Sequence, residues 1–250
     1  MKSSNGTDAS KPPKAVLFDL DGTLVDSYQA IQQSVNHVRS IHGLSPLSLE
    51  SVKSCVGNGL AILLEKTCPA GDPQTDGEAF LAHHPSVIVS GTRLLPGVRR
   101  TIVALKRRGC HLAVCSNKPL ALTRELLKRL KLASFFDAVL GPESVGKPKP
   151  APDMLLKALE LTKISKEQAV YVGDMTIDVE TARRAGIECW AIPSGTHTRK
   201  QLQTSGPNRI MGQFRELLDA VPRQRNSRAR SGTPRSSRGR KKTLVDRQGR

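Results

Sequence analysis

"AVLFDLDGTLVDS", residues 15–27, is the stretch whose reading decides the fold. Over residues 15–20 it is apolar apart from Asp19, the pattern of a strand that a parallel sheet buries on both faces. Asp19 and Asp21 then stand at the strand's end, with Gly22 turning the chain. A buried carboxylate without a partner is costly, so two of them here call for a cation. In open α/β sheets ligands collect at the carboxyl ends of the strands, which makes this end a candidate site.

Downstream of Pro96 the chain alternates strand and helix with short links. Strands are predicted at 110–117, 135–141, 169–174 and 188–195. Helices are predicted at 97–109, 120–132, 151–162 (with Asp153 as its N-cap), 176–186 and 209–221. That rhythm implies a Rossmann-like, doubly wound parallel sheet of the α/β class. Residues 28–92 break it. Ile31, Val35, Val38 and Ile41 recur at helical spacing and Gly43 supplies a stop, while "CPAGDPQTDGE" (68–78) reads as a loop. The expected organisation is therefore a core of 14–27 and 93–221 carrying an all-α cap inserted at 28–92.

Four strand ends carry polar residues that fit one chemistry. Asp174 follows Gly173 at the end of another predicted strand, and Asp178 comes one helical turn later. With Asp19 and Asp21 they form a carboxylate set suited to Mg²⁺, a hard ion that takes oxygen ligands and leaves room for phosphate. Ser116 and Asn117 end a third strand. "GKPKPAPD" (146–153) then offers Lys147 and Lys149 as fixed positive charges for a phosphoryl group.

Taken in order, "FDLDGTLVDS", "VCSNK", "KPAPD" and "VGDMTIDVETARRAG" resemble the four motifs of haloacid dehalogenase-like hydrolases and span about 14–195. The resemblance implies that Asp19 attacks phosphorus to form an aspartyl-phosphate and that Asp21 acts as acid and base. It implies that Ser116 and a lysine hold the phosphoryl group, and the usual place of that lysine in relatives, a few residues before a helix such as the one Asp153 opens, favours Lys149 over Lys147. Mg²⁺ would sit on Asp19, the Asp21 backbone carbonyl and Asp174, with Asp178 in support. On the same basis Thr23, Asn117 and Lys118 are expected beside the substrate. "CVGNGLAILLEK" (55–66) resembles the cap loop of phosphoglycolate-phosphatase-like members, so Gly57, Asn58 and Gly59 are expected to approach a small phosphorylated metabolite. The implied function is a Mg²⁺-dependent phosphatase acting on a small monoester. The alternatives are a phosphosugar mutase of the same family and a catalytically retired scaffold that binds nucleic acid.

The formal net charge is +17, and +10 of it lies in 222–250, where eleven Lys/Arg face only Asp246. That Arg/Ser/Gly-rich tail reads as disordered, and its charge suits RNA or DNA without sequence preference. Residues 1–13 read as a polar, disordered leader. Five cysteines form no CxxC pair, and no apolar h-region or membrane-length run is present, so a reduced, cytoplasmic protein without membrane contact is expected.

Overall fold

The computed structural model describes residues 12–221. The readings of residues 1–11 as leader and of 222–250 as tail lie outside the described residues. Of the expected leader, only Pro12 and Pro13 fall within the described residues. Pro13 is already buried, and the Lys14 amide donates to the Gln168 carbonyl at 2.7 Å.

β1 (Ala15–Phe18) is buried at every position and lies near the middle of a six-stranded sheet. A two-stranded ribbon follows, built from β2 (Val25–Asp26) and β3 (Arg93–Leu94), antiparallel with Val25 opposite Leu94 and Asp26 opposite Arg93. Between these strands stand four helices: α1 (Tyr28–Ile41), α2 (Leu49–Lys53), α3 (Leu60–Thr67) and α4 (Pro73–Val87). The remaining helices and strands are α5 (Val98–Arg107), β4 (His111–Cys115), α6 (Leu120–Arg129), β5 (Ala138–Leu140), α7 (Asp153–Thr162), β6 (Ala169–Gly173), α8 (Thr176–Ala185), β7 (Glu188–Ala191), α9 (Arg199–Ser205), β8 (Arg209–Ile210) and α10 (Leu217–Ala220). The sheet order is β5-β4-β1-β6-β7-β8, and every neighbouring pair is parallel.

The period of two in the strands divides the core between the faces of the sheet. Val16, Phe18, Val114 and Val172 pack on one face together with α5, α6 and the base of α1. Ala15, Leu17, Cys115 and Tyr171 pack on the other, under α7 and α8. Crossing from β5 to β6 carries the chain from one side of β1 to the other. The ends of β1, β4 and β6 therefore open onto one crevice.

The structure departs from expectation in several places. The loop expected over 68–78 shortens, because α4 begins at Pro73. Asp72 caps it by accepting from the Gln74 and Thr75 amides, and Pro73 suits the first turn. Asp153 is the first residue of α7, after Pro152, and caps nothing. The helix expected over 209–221 is replaced by β8, a 3₁₀ turn at Phe214–Glu216 and the short α10. Residues Arg209 and Ile210 instead pair with Trp190 and Ala191 at the open edge of the sheet. The strand expected over 188–195 ends at Ala191, and α9 was not foreseen. A Thr198–Gln201 capping box starts α9 and Gly206 ends it in the left-handed region.

Candidate active site

The turn after β1 aims the two acids differently. The Asp19 amide bonds the Val172 carbonyl, which keeps this residue in the sheet and its carboxylate buried. Gly22 then takes φ +87°, and a Cβ there would stand 2.5 Å from both Asp174 Oδ2 and the Tyr28 hydroxyl, so only glycine fits. Just before that glycine, Asp21 is held apart from the other acids. Ser27 Oγ donates to its Oδ1 at 2.5 Å, and Lys118 Nζ lies 3.3 Å from its Oδ2.

Behind Asp19 three carboxylates converge. One oxygen each from Asp19, Asp174 and Asp178 lie within 4.8 Å of one another, and all three residues are buried. Asp174 accepts from Thr23 Oγ1 at 2.9 Å and from the Thr196 amide at 3.1 Å. Asp178 accepts from the Met175 amide at 3.0 Å, which anchors the first turn of α8. Lys149 Nζ sits among them, 2.8 Å from Asp19 Oδ1, 2.7 Å from Asp178 Oδ1 and 3.1 Å from the Tyr171 hydroxyl. Asn117 fixes the lysine's backbone from both sides. Its Oδ1 accepts from the Lys149 amide at 2.9 Å, and its Nδ2 donates to the Lys149 carbonyl at 3.1 Å.

Burial dominates the ionisation of this cluster. It pushes Asp19 up to about 6; the Lys149 charge pulls the other way and the Asp178 charge adds to the rise. Burial, then the charges of Asp178 and Asp19, hold Asp174 well above the carboxylate range. For Lys149 burial alone would lower the pKa, but Asp178 and Asp19 outweigh it and keep the ammonium firmly charged.

In front of Asp19 a small cavity of about 50 Å³ is lined by Asp19, Asp21, Ser116, Asn117 and Lys118 on the sheet side. Residues of α1, α3, α4 and the 56–59 loop close it from the helical side. That loop is tied down. The Gly57 carbonyl accepts from Asn117 Nδ2 at 3.1 Å, and a Cβ on Gly57 would stand 2.5 Å from the Met175 side chain.

Comparison with known proteins agrees with this geometry. The family model of haloacid dehalogenase-like hydrolases matches residues 16–192. The chain belongs to the haloacid dehalogenase-like hydrolases. It is 33% identical over 219 residues to phosphoglycolate phosphatase 1 of Pseudomonas aeruginosa, covering 84% of this chain and 80% of the relative. It is 34% identical over 218 residues to the phosphoglycolate phosphatase of Rhodospirillum rubrum, covering 83% and 90%. The crystal structure of a predicted phosphoglycolate phosphatase from Haemophilus somnus superposes with a TM-score of 0.76 at 26% identity, over 85% of this chain and 99% of that one. Within the haloacid dehalogenase-like hydrolases this chain thus groups with the phosphoglycolate-phosphatase-like branch, and so with the phosphoric monoester hydrolases.

Of the residues singled out by motif, this hydrolase gathers Asp19, Asp21, Ser116, Asn117, Lys118 and Gly57 around the cavity. Lys149, Asp174 and Asp178 stand behind Asp19. Three expected substrate contacts fall elsewhere. Lys147 is exposed, because the Asn117 clamp turns Lys149 inward. Asn58 is exposed between two positive-φ glycines that present backbone, and not its side chain, to the core. Thr23 is buried against Asp174 and does not line the cavity. Asp21 does not join the three-carboxylate cluster, since Ser27 and Lys118 hold its side chain. Sequence reading missed Tyr171, Tyr28 and Thr196. A hydroxyl in the otherwise apolar run "AVYVG" was the one available signal, for Tyr171.

Proposed function

We propose that this chain is a Mg²⁺-dependent phosphatase that hydrolyses a small phosphate monoester, phosphoglycolate being the leading candidate, through an aspartyl-phosphate on Asp19. The observation that carries the reading is the placement of Asp19. Its carboxylate lies between the Lys149 ammonium, 2.8 Å away, and a cavity that also receives Asp21 and Ser116. The names of the relatives support a small substrate.

The donor set fits Mg²⁺. Asp19, Asp174 and Asp178 offer oxygen alone, and a divalent ion bound there would favour the ionised forms of Asp19 and Asp174 against the rise that burial causes. Asp174 Oδ2 is enclosed closely enough that a Cβ on Gly195 would stand 1.8 Å from it. Asp19 and Asp174 would hold the ion, with Asp178 in support, and when bound it would offset charge on the phosphoryl oxygens.

The rest follows from the side chains. An Asp19 carboxylate oxygen attacks phosphorus and the bond from phosphorus to the ester oxygen breaks. Asp21, steadied by Ser27 and Lys118, delivers its proton to the departing alkoxide. It then takes a proton from water, whose oxygen attacks phosphorus and releases Asp19 and inorganic phosphate. Ser116 and Lys149 stabilise phosphoryl charge throughout. A cytoplasmic setting accords with the five free thiols.

The test is a phosphate-release screen over small monoesters with Mg²⁺ and with EDTA. Release with Mg²⁺ that EDTA removes is expected. Asp19→Asn is expected to lower it by roughly 10⁴-fold or more, on the scale of losing a catalytic nucleophile. Turnover retained by that variant would refute the covalent assignment.

A further inference from the structure

An open groove lies along α5, and it shares no lining residue with the catalytic cavity. Every polar side chain that lines it is an arginine: Arg99, Arg100, Arg107 and Arg108. No carboxylate, hydroxyl, amide or aromatic side chain joins them, and Asp219, next to Leu218, is outside the lining. Over 97–109 the chain carries five Lys/Arg and no acid. Lys106 is balanced by Asp137 at 2.6 Å. None of the four arginines has a carboxylate partner among the described residues. Arginines elsewhere do: Arg93 meets Asp26, Arg129 meets Glu125 and Arg184 meets Glu180. Backbone carbonyls anchor Arg99 to Leu130 at 2.5 Å and Arg108 to Leu218 and Val221. Arg100 and Arg107 are exposed and bond nothing among the described residues. Arg99 and Arg100 also stand in the first turn of α5, where the helix's positive end disfavours cations. For Arg100 no contact within the fold offsets that cost.

We propose that this groove is a docking surface for duplex DNA, gripped by its phosphate backbone without regard to sequence. Four unbalanced guanidinium groups on one helix supply the complementary charge, and such contacts bind by releasing the duplex's counterions. With no aromatic ring, the groove offers unstacked bases no platform, which disfavours a single strand. A duplex keeps its bases stacked and presents about one charge per 1.7 Å of axis. The side chains offer no acceptor for a 2′-hydroxyl, so nothing in them favours RNA. The groove also lies where the basic end of the chain departs. Arg108 bonds the carbonyl of Val221, and residues 222–250 beyond it add a charge of +10. Like charge excludes that segment as the occupant and makes it a second contact for the same polyanion. No catalytic residue takes part, so DNA binding and phosphatase activity stand or fall separately.

The test is fluorescence anisotropy of the full-length chain with a labelled DNA duplex of about 24 base pairs, over about 50 to 200 mM salt. Near physiological salt a Kd of about 1–100 μM is expected, the same for duplexes of unrelated sequence. A single strand of equal length should bind about threefold or more weakly, and an RNA duplex no more tightly than DNA. Arg100→Gln/Arg107→Gln removes two charges that bond nothing in the fold. It is expected to weaken binding by about tenfold and to lower the slope of log K against log salt by about two. Arg100→Lys/Arg107→Lys, which keeps the charge, should stay within about threefold of the natural chain. Arg183→Gln/Arg184→Gln, on α8 and outside the groove, removes as much charge and should cost no more than about threefold. Melting temperatures should stay within about 2 °C throughout, as for exposed side chains. Equal losses from the two glutamine pairs would assign binding to net charge, and no loss from Arg100→Gln/Arg107→Gln would assign it to residues 222–250. Either result overturns the groove, as does an absence of binding at the lowest salt. Tighter binding of the single strand or of RNA would overturn the choice of duplex DNA.

Discussion

The two sides of the catalytic cavity are held by different forces. On the sheet side each acid and base is tied to a second buried polar group. Lys149 meets Asp19, Asp178 and Tyr171; Asn117 grips Lys149 and Gly57; Thr23 and Thr196 hold Asp174. On the helical side the wall is hydrocarbon, placed by the packing of α1 against α4 and α3. Directional bonds fix charges to within the tolerance that phosphoryl transfer needs, and they cost little reorganisation during the reaction. Apolar packing fixes volume more than orientation, so the insertion can alter which leaving group fits while the phosphoryl chemistry stays unchanged.

The contrast can be broken at its most connected point. Lys149→Met removes the one ammonium buried among three carboxylates and is expected to cost about 3–5 kcal/mol in urea unfolding, besides activity. The neighbouring Lys147→Met, at an exposed position, should stay within about 0.5 kcal/mol and keep its rate. Equal effects from the two would mean that the network does not hold the site.

Where the two sides meet, Asn117→Ala takes three hydrogen bonds from buried or half-buried backbone. About 1–3 kcal/mol of stability should go, with kcat falling more than KM rises, because Lys149 loses its clamp. Gly57→Ala probes the same junction from the other side. Its φ of +119° and the Met175 side chain 2.5 Å from the new Cβ should cost about 1–3 kcal/mol. An unchanged melting curve for both would separate the walls energetically.

A pH-dependent effect comes from a histidine inside the helical insertion. His84 is fully buried, with Nδ1 2.9 Å from Ser34 Oγ, Phe80 stacked on its ring and no partner for Nε2 among the described residues. Burial, then the Lys118 and His83 charges, lower its pKa from 6.5 to about 2. The unfolded chain therefore binds a proton below pH 6.5 that the folded chain refuses. Stability is full above that pH and falls as pH drops, by up to about 1.4 kcal/mol per unit, or about 2 kcal/mol by pH 5. His84→Gln should flatten the decline in thermal midpoint between pH 7.5 and 5. An identical decline would assign the proton uptake elsewhere.

Most of the sheet was legible because buried strands declare themselves as short apolar runs closed by polar residues, as at Phe18–Asp19 and Gly173–Asp174. The edge was not. Arg209 and Ile210 form a strand only because β7 has an unpaired side, a fact absent from their own pattern. Helix α4 hid behind Gly77, Pro73 and Pro85, residues that mark turns by frequency and yet sit inside a helix capped by Asp72. In the site the acids were readable from their spacing. Which lysine lies next to them is decided by packing, with Lys149 buried and its backbone held by Asn117, while Asn58 is exposed between two glycines of positive φ.

By itself the sequence determined that acids stand at the ends of buried strands in an α/β sheet, since a run of a few residues already encodes its own burial and its own charge. Only the tertiary structure decided which lysine neutralises them and that the opposing wall is hydrocarbon. Lys149 lies 130 residues from Asp19 and 29 from Asp178 in the chain, and Ile31, Leu60 and Phe80 belong to three different helices. Contacts of that range are set by how elements pack, and no local pattern contains them.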